Sequence, residues 1–305
     1  LAVYPRPKQN NFMVSHFIIR FALLYNCNYT IDANLKTGYC NMGLRFFILL
    51  LIFLPHNGVI QAQTTSEKEQ AEKYQSCIAS INDAAENAVI AAKKWYIEGG
   101  GAAAQHCEAM ALFEQERFDE AANLLETISD KVSRGEDVGI FAEKNKMLLS
   151  AQLRYLAGKA WRATDKLERA FTIYTTALLT LDDQPSLKYD FYIERGIVQI
   201  DRENYQSAID DFSYALELDE ERIEAFLYRA ETFRKMNQHL EARLDINQGL
   251  SINPNQPDLI FESGVNYRML REDMKAKNEW QKLIDQFPDS HWQKLAEDNI
   301  KLISS

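Results

Sequence analysis

The chain has 305 residues, 46% hydrophobic and 26% charged, with a formal net charge of −10. A surface this acidic repels phosphate backbones and anionic lipid, so nucleic acid is excluded as an expected partner. The plainest use of the charge is solubility, and the length suits one closed domain or one stack of helix pairs.

Residues 1–41 have no helical period, and the chain opens on Leu1 rather than Met. Translation is expected to begin at Met42, with 1–41 a disordered, non-native upstream extension. From Met42 the order is that of a secretory signal: Arg45, an apolar run over 46–54, the breaker Pro55, and small Ala62 at the cleavage position. The run is nine residues, whereas a membrane-crossing helix needs about 20. Residues 42–62 therefore read as a signal peptide, with an uncleaved anchor as the alternative. No Cys follows the small residue to carry lipid, and Cys40 lies on the wrong side of it. The mature chain is expected to be exported, periplasmic or secreted, and soluble rather than lipid-anchored, with no integral membrane span. After residue 62 there remain 29 Lys and Arg against 43 Asp and Glu, a net charge of −14.

Helices are predicted from Thr64 to about Ser80 and from Asp83 to Glu98, the second packing through Ala84, Ala88, Ala91, Ala92 and Trp95. Gly99-Gly100-Gly101 then stops it. No strand precedes the glycines and no Lys-Ser/Thr follows, so they read as a helix cap and turn rather than a phosphate loop. Cys77 and Cys107 are the cysteines left after the signal. In an oxidising compartment such a pair bonds. It would staple the N-terminal helix to the next units, worth on the order of 3–4 kcal/mol by loop closure. Two buried thiols are the alternative. His106 and Cys107 are neighbours in sequence, about 100° apart on a helix. No C-x2-C or H-x3-H spacing occurs, so no metal site or cofactor is expected. Without a nucleophile motif, no enzyme is expected either. The polar stretch 133–137 is the candidate hinge, with helices resuming near Ile140.

Beyond it the same residue types recur. Ala208, Ala242 and Ala276 are 34 apart, as are Gly196, Ala230 and Gly264, and Phe212, Ile246 and Trp280. Glu220, Pro254 and Pro288 close each unit. A fixed period of this length means stacked helix–turn–helix units. Gly158, Trp161, Ala170, Tyr174 and Ala177 form an earlier copy, in which Ala170 precedes Ala208 by 38. Ala109, Leu112, Phe118, Ala121, Leu125 and Ile128 form another, in which Ala121 precedes Ala170 by 49. The small residues let helices approach to about 8–10 Å, and Pro254 and Pro288 end second helices. The organisation expected is N-terminal helices and a first repeat over 63–135, then four repeats within 140–290. These run over about 151–188, 189–222, 223–256 and 257–290. A capping helix over 291–305 has Trp292, Leu295, Ala296 and Ile300 inward and Lys294, Glu297, Asp298 and Lys301 outward.

The unit resembles the tetratricopeptide repeat, W-x2-L-G-x2-Y, then A-x3-F, then Pro. The best copy, 257–290, has Ile260, Ser263-Gly264, Tyr267, Ala276-x3-Trp280 and Pro288. The order of Cys77, the glycine triplet and His106-Cys107 is similar to the start of some exported bacterial members. The resemblance implies an all-α, right-handed superhelical solenoid. It also implies a non-enzymatic scaffold of the cell envelope that holds a peptide or partner helix in a concave groove. A self-associating structural module with a filled groove is the alternative, and an enzyme a distant third. By family position the groove would be lined by Tyr155, Lys159, Arg162, Ile193, Ile197, Leu227, Arg234, Phe261, Val265 and Arg268. Exposed apolar surface among basic residues would suit a segment with apolar anchors and carboxylates. No repeat has the family's Lys and Asn pair that grips a free C-terminus. Burial of Ile193, Ile197 and Phe261 within the chain would count against an open groove.

Overall fold

The computed structural model describes residues 57–141, 145–181 and 184–304. The expected extension, 1–41, and most of the expected signal, 42–56, lie outside these residues. The chain divides into two units, Tyr4–Lys68 and Leu1–Val3 with Glu69–Ser305. Of the first, the described part is the opening of helix α1; the second is described below.

Helix α1 spans Asn57–Trp95, but Ala84 breaks it with φ −154° and ψ 58°. The indole Nε1 of Trp95 donates to Gln70 Oε1 at 2.5 Å. A straight helix would hold residues 25 apart about 37 Å from each other, so α1 is a hairpin of two limbs. The boundary expected near residues 80–83 falls at Ala84. A π-helical turn, Tyr96–Gly100, carries the second limb into α2, Gly101–Glu114. Gly99 has φ 94° and Gly101 φ 53°, which glycine adopts without penalty. A Cβ at Gly101 would also lie 2.8 Å from the Asp137 carbonyl, which accepts from the Ala102 N–H. The glycine triplet is thus a bend between helical limbs, and helix resumes at once.

From α2 onward helices pair in sequence order: α2 with α3 (Phe118–Arg134), α4 (Lys146–Ala163) with α5 (Leu167–Leu178), and α6 (Pro185–Asp201) with α7 (Tyr205–Leu218). Then come α8 (Ile223–Lys235) with α9 (His239–Ile252) and α10 (Pro257–Met269) with α11 (Asp273–Gln286). Helix α12, His291–Ser304, packs against α11, with Trp292 and Ala296 buried and Lys301 exposed. Connections this short make neighbours antiparallel. The unit is an all-α, right-handed superhelical solenoid, as the resemblance implied.

Each turn inside a pair holds one residue in the left-handed region: Glu116, Asp165, Glu203, Asn237 and Arg271, with φ between 57° and 62°. Their successive spacings match those of the alanines that open the second helices, Ala121, Ala170, Ala208, Ala242 and Ala276. The insertions therefore lie between pairs and leave each pair intact. The longer one is absorbed by α3, which runs to Arg134 and ends on left-handed Gly135, and by a 3-10 turn at Gly139–Phe141. Helix α4 starts at Lys146, later than expected, because the Asn145 side chain caps the N–H groups of Met147 and Leu148. The polar stretch is fastened by Lys131 to Asp137 at 3.6 Å and by the Ala102–Asp137 bond.

Within each pair from α4 onward, the small residue of the first helix is matched in size to a bulky residue of the second. A Cβ at Gly196 would lie 2.6 Å from Phe212 Cε1, and one at Gly158 or Gly264 would collide with Tyr174 or Trp280. The fourth repeat has Ala230 instead, and there the second helix brings the slimmer Ile246 into the same cluster. What fills the seat is a side chain, so each pair is a two-residue fit at interior density.

Candidate functional site

The first helices α4, α6, α8 and α10 line up along one row, and the ten residues expected to form a groove lie on them. Four are apolar and buried, with 8% of Ile193, 4% of Ile197, 3% of Phe261 and 7% of Val265 exposed. This corrects the expectation of an exposed apolar face. Ile193 and Ile197 belong to the cluster that joins α6, α7 and α8 around Phe212, Ala225 and Tyr228. The Phe261 ring lies 6.4 Å from that of Trp280 and 6.1 Å from that of Trp292. These side chains fill seams between helices. Tyr155 and Leu227 are half-buried, and Tyr155 meets the edge of Phe191 at 5.7 Å.

The four cations of the row are all paired. Lys159 lies 2.5 Å from Glu194, Arg162 2.5 Å from Asp201, Arg234 2.5 Å from Glu262 and Arg268 2.5 Å from Asp273. Three of the four pairs bridge one first helix to the next. The Glu194 carboxylate also accepts from the Tyr155 hydroxyl at 3.0 Å. Burial alone would raise the Glu194 carboxyl, but Lys159, Arg162 and the Tyr155 hydroxyl together hold it below its ordinary value. At Glu262 burial wins, and the carboxyl is raised despite Arg234. A partner's carboxylate would have to displace an existing one from each cation. The row therefore offers no ready acceptor for acidic groups, contrary to what its basic residues suggested.

A second constellation escaped the sequence reading. Arg195 and Arg229 stand where the repeat signature has Leu. The Arg195 guanidinium donates to Asp211 at 2.6 Å and to Thr175 at 3.3 Å. Arg229 donates to Asp245 at 2.7 Å and to Ser213 at 2.9 Å. Each arginine thereby staples its own helix pair to the second helix of the pair before it. Asp211 and Asp245 are buried, which raises both carboxyls against the pull of their arginines. The signal was present as Arg-x15-Asp, repeated one period later, but it is not part of the family pattern.

At the N-terminal end Cys77 and Cys107 are disulfide-bonded, with Cα atoms 6.3 Å apart. Beside them Tyr74 Oη and His106 Nδ1 are hydrogen-bonded at 3.0 Å. Burial lowers the His106 imidazole from 6.5 to about 4, so it is neutral near pH 7. Among the described residues no three His, Cys, Asp or Glu side chains converge to hold a metal ion. No helix there is long and apolar enough to cross a membrane.

Antiparallel helix pairs, stacked at a fixed period with a small residue seated against a bulky one, are the architecture of tetratricopeptide-repeat solenoids. The tetratricopeptide-repeat family model matches residues 258–290. A protein from Parabacteroides merdae with this repeat has the same fold, with a TM-score of 0.57 at 18% identity over 76% of this chain and 87% of that one. The pilF protein of Pseudomonas aeruginosa gives 0.51 at 14% identity, over 76% of this chain and 99% of that one. In sequence, 124 residues are 30% identical to sperm-associated antigen 1 of Rattus norvegicus, covering 41% of this chain and 13% of that protein. The chain thus spans about an eighth of that relative's length.

Proposed function

We propose that the chain is a non-enzymatic scaffold that binds another polypeptide along its row of first helices, outside the cytoplasm. The observation that carries this is the row itself: one face assembled from four repeats and locked across them by ion pairs. Such a face presents a preset surface rather than a reaction centre. The side chains with surface to offer a partner are Tyr155 and Leu227, with the outer edges of the ion-paired Arg162, Arg234 and Arg268. Lys159, Ile193, Ile197, Phe261 and Val265 set the shape beneath. The Cys77–Cys107 bond supports an oxidising compartment, in keeping with the signal-like segment at 42–62 and an exported bacterial origin.

Burial of Ile193, Ile197, Phe261 and Val265 favours a second reading, in which the row is filled and the module self-associates. Affinity capture from the native source with wild type and Leu227→Glu tests the first. Partners lost on Leu227→Glu support binding along the row, and identical partner sets argue against it. Light scattering tests the second, since a monomer at working concentration disfavours self-association.

A further inference from the structure

Outside the first-helix row, one arginine lacks the acid that its counterparts have. Where Arg195 and Arg229 stand in the third and fourth repeats, the fifth has Ser263. The guanidinium there comes instead from the preceding helix, α9. Arg243 donates to Ser263 Oγ at 3.0 Å and to the Ser263 carbonyl at 3.2 Å. It stacks on the Tyr267 ring at 3.4 Å from the centroid. Its three neighbouring carboxylates, Glu262, Glu272 and Glu279, are engaged by Arg234, Lys275 and Lys282 respectively. The Arg243 Nε is itself closed off from solvent and, among the described residues, has no hydrogen-bond partner, so a carboxylate from outside would meet the terminal nitrogens. A half-buried guanidinium therefore keeps a charge that no carboxylate of its own offsets there, and burial lowers its pKa.

On the same helices lie large apolar side chains that pack against little. Leu240 is 70% exposed, Leu244 67% and Met274 72%. Leu240 and Met274 are one repeat period apart, at the same place on the second helices of consecutive repeats. Leu244 is one turn beyond Leu240, next to Arg243. Exposed apolar side chains on the helix that carries a cation without its acid, with Met274 at the matching place one repeat on, suit an apolar segment that brings the acid with it.

We propose that the exposed apolar side chains of α9, together with Met274 of α11, dock an amphipathic, acidic segment of a partner protein. Its aliphatic side chains cover Leu240, Leu244 and Met274, and one of its carboxylates pairs with Arg243. This surface is separate from the first-helix row and does not depend on that row's function.

A displayed library of random helical peptides, selected on the full chain, tests the proposal. Affinities of the enriched peptides are then measured by fluorescence anisotropy. Enriched peptides are expected to carry aliphatic residues one turn apart with Asp or Glu beside them. Leu244→Glu and Met274→Glu, being exposed, should leave the circular dichroism unchanged and weaken binding by roughly tenfold or more. Replacing the peptide's acid by its amide should weaken binding to wild type and have no effect on Arg243→Gln. Enriched peptides that are basic, or that bind Leu244→Glu as well as wild type, would overturn the proposal. So would a selection that yields no binder, or a wild-type dimer that Leu244→Glu dissolves, which would make the occupant a second copy of this chain.

Discussion

The repeats after Pro185 and the helices before Lys146 are held together by different means. In the first region, each pair closes on a small residue fitted to a bulky one. Arg195 and Arg229 then staple one pair to the one before. Every such contact is local, so stability accrues repeat by repeat. In the second region the pattern fails: α1 is a hairpin broken at Ala84, and a glycine bend joins it to α2. A covalent bond from Cys77 to Cys107 and the buried Tyr74–His106 pair do there what periodic packing does later. A strict period marks where neighbours alone suffice, and its loss marks where the chain uses a cross-link.

Four changes probe this contrast. The largest effect is expected from Phe212→Ala, which empties the seat at Gly196 and should cost about 3–5 kcal/mol in urea unfolding. The loss should spread to the flanking repeats and leave α1 intact. Reducing the disulfide, or changing both cysteines to Ser, closes no 30-residue loop in the unfolded chain and should cost about 3–4 kcal/mol. Here limited proteolysis should open residues 69–114 first. Equal susceptibility over 185–290 would erase the distinction between the regions.

The third change is in pH. The folded state holds His106 at about 4 against 6.5, so it binds fewer protons than the unfolded chain between those values. Stability from this site is complete above pH 6.5 and is lost as pH falls toward 4, by on the order of 3 kcal/mol. His106→Gln should flatten that part of the curve of urea midpoint against pH, and an unchanged curve would count against it. The smallest effect is a gain. Arg271 is exposed and sits at φ 61°, so Arg271→Gly should stabilise by about 0.5–1 kcal/mol, seen as a raised Tm.

Much of the fold was legible because backbone approach leaves a mark in sequence. Gly158, Gly196 and Gly264 are small because rings occupy the space beside them. The alanines that open second helices kept their spacing to the turn residues even where insertions broke the phase. The state of the first-helix row was not legible, for a physical reason. Family position says which way Ile193 or Phe261 leaves its helix, but burial depends on what the neighbouring helices bring, here Phe212, Tyr228, Trp280 and Trp292. The cations looked available because their acids are distant in sequence: Glu194 is 35 residues from Lys159, and Asp201 is 39 from Arg162. A charge pair at about one repeat's spacing is invisible to any reading that takes one helix at a time. The arginine staples were hidden by their novelty, since they replace a signature Leu and need a second, buried substitution to be tolerated.

The proposal that this stack holds another polypeptide along its first helices is tested most directly by hydrogen exchange. The chain would be compared alone and in the complex isolated from its native source. Added protection concentrated in α4, α6, α8 and α10, centred on Tyr155 and Leu227, is the expected result. Protection confined to the α1 hairpin or to α12, with the four first helices unchanged, would contradict it.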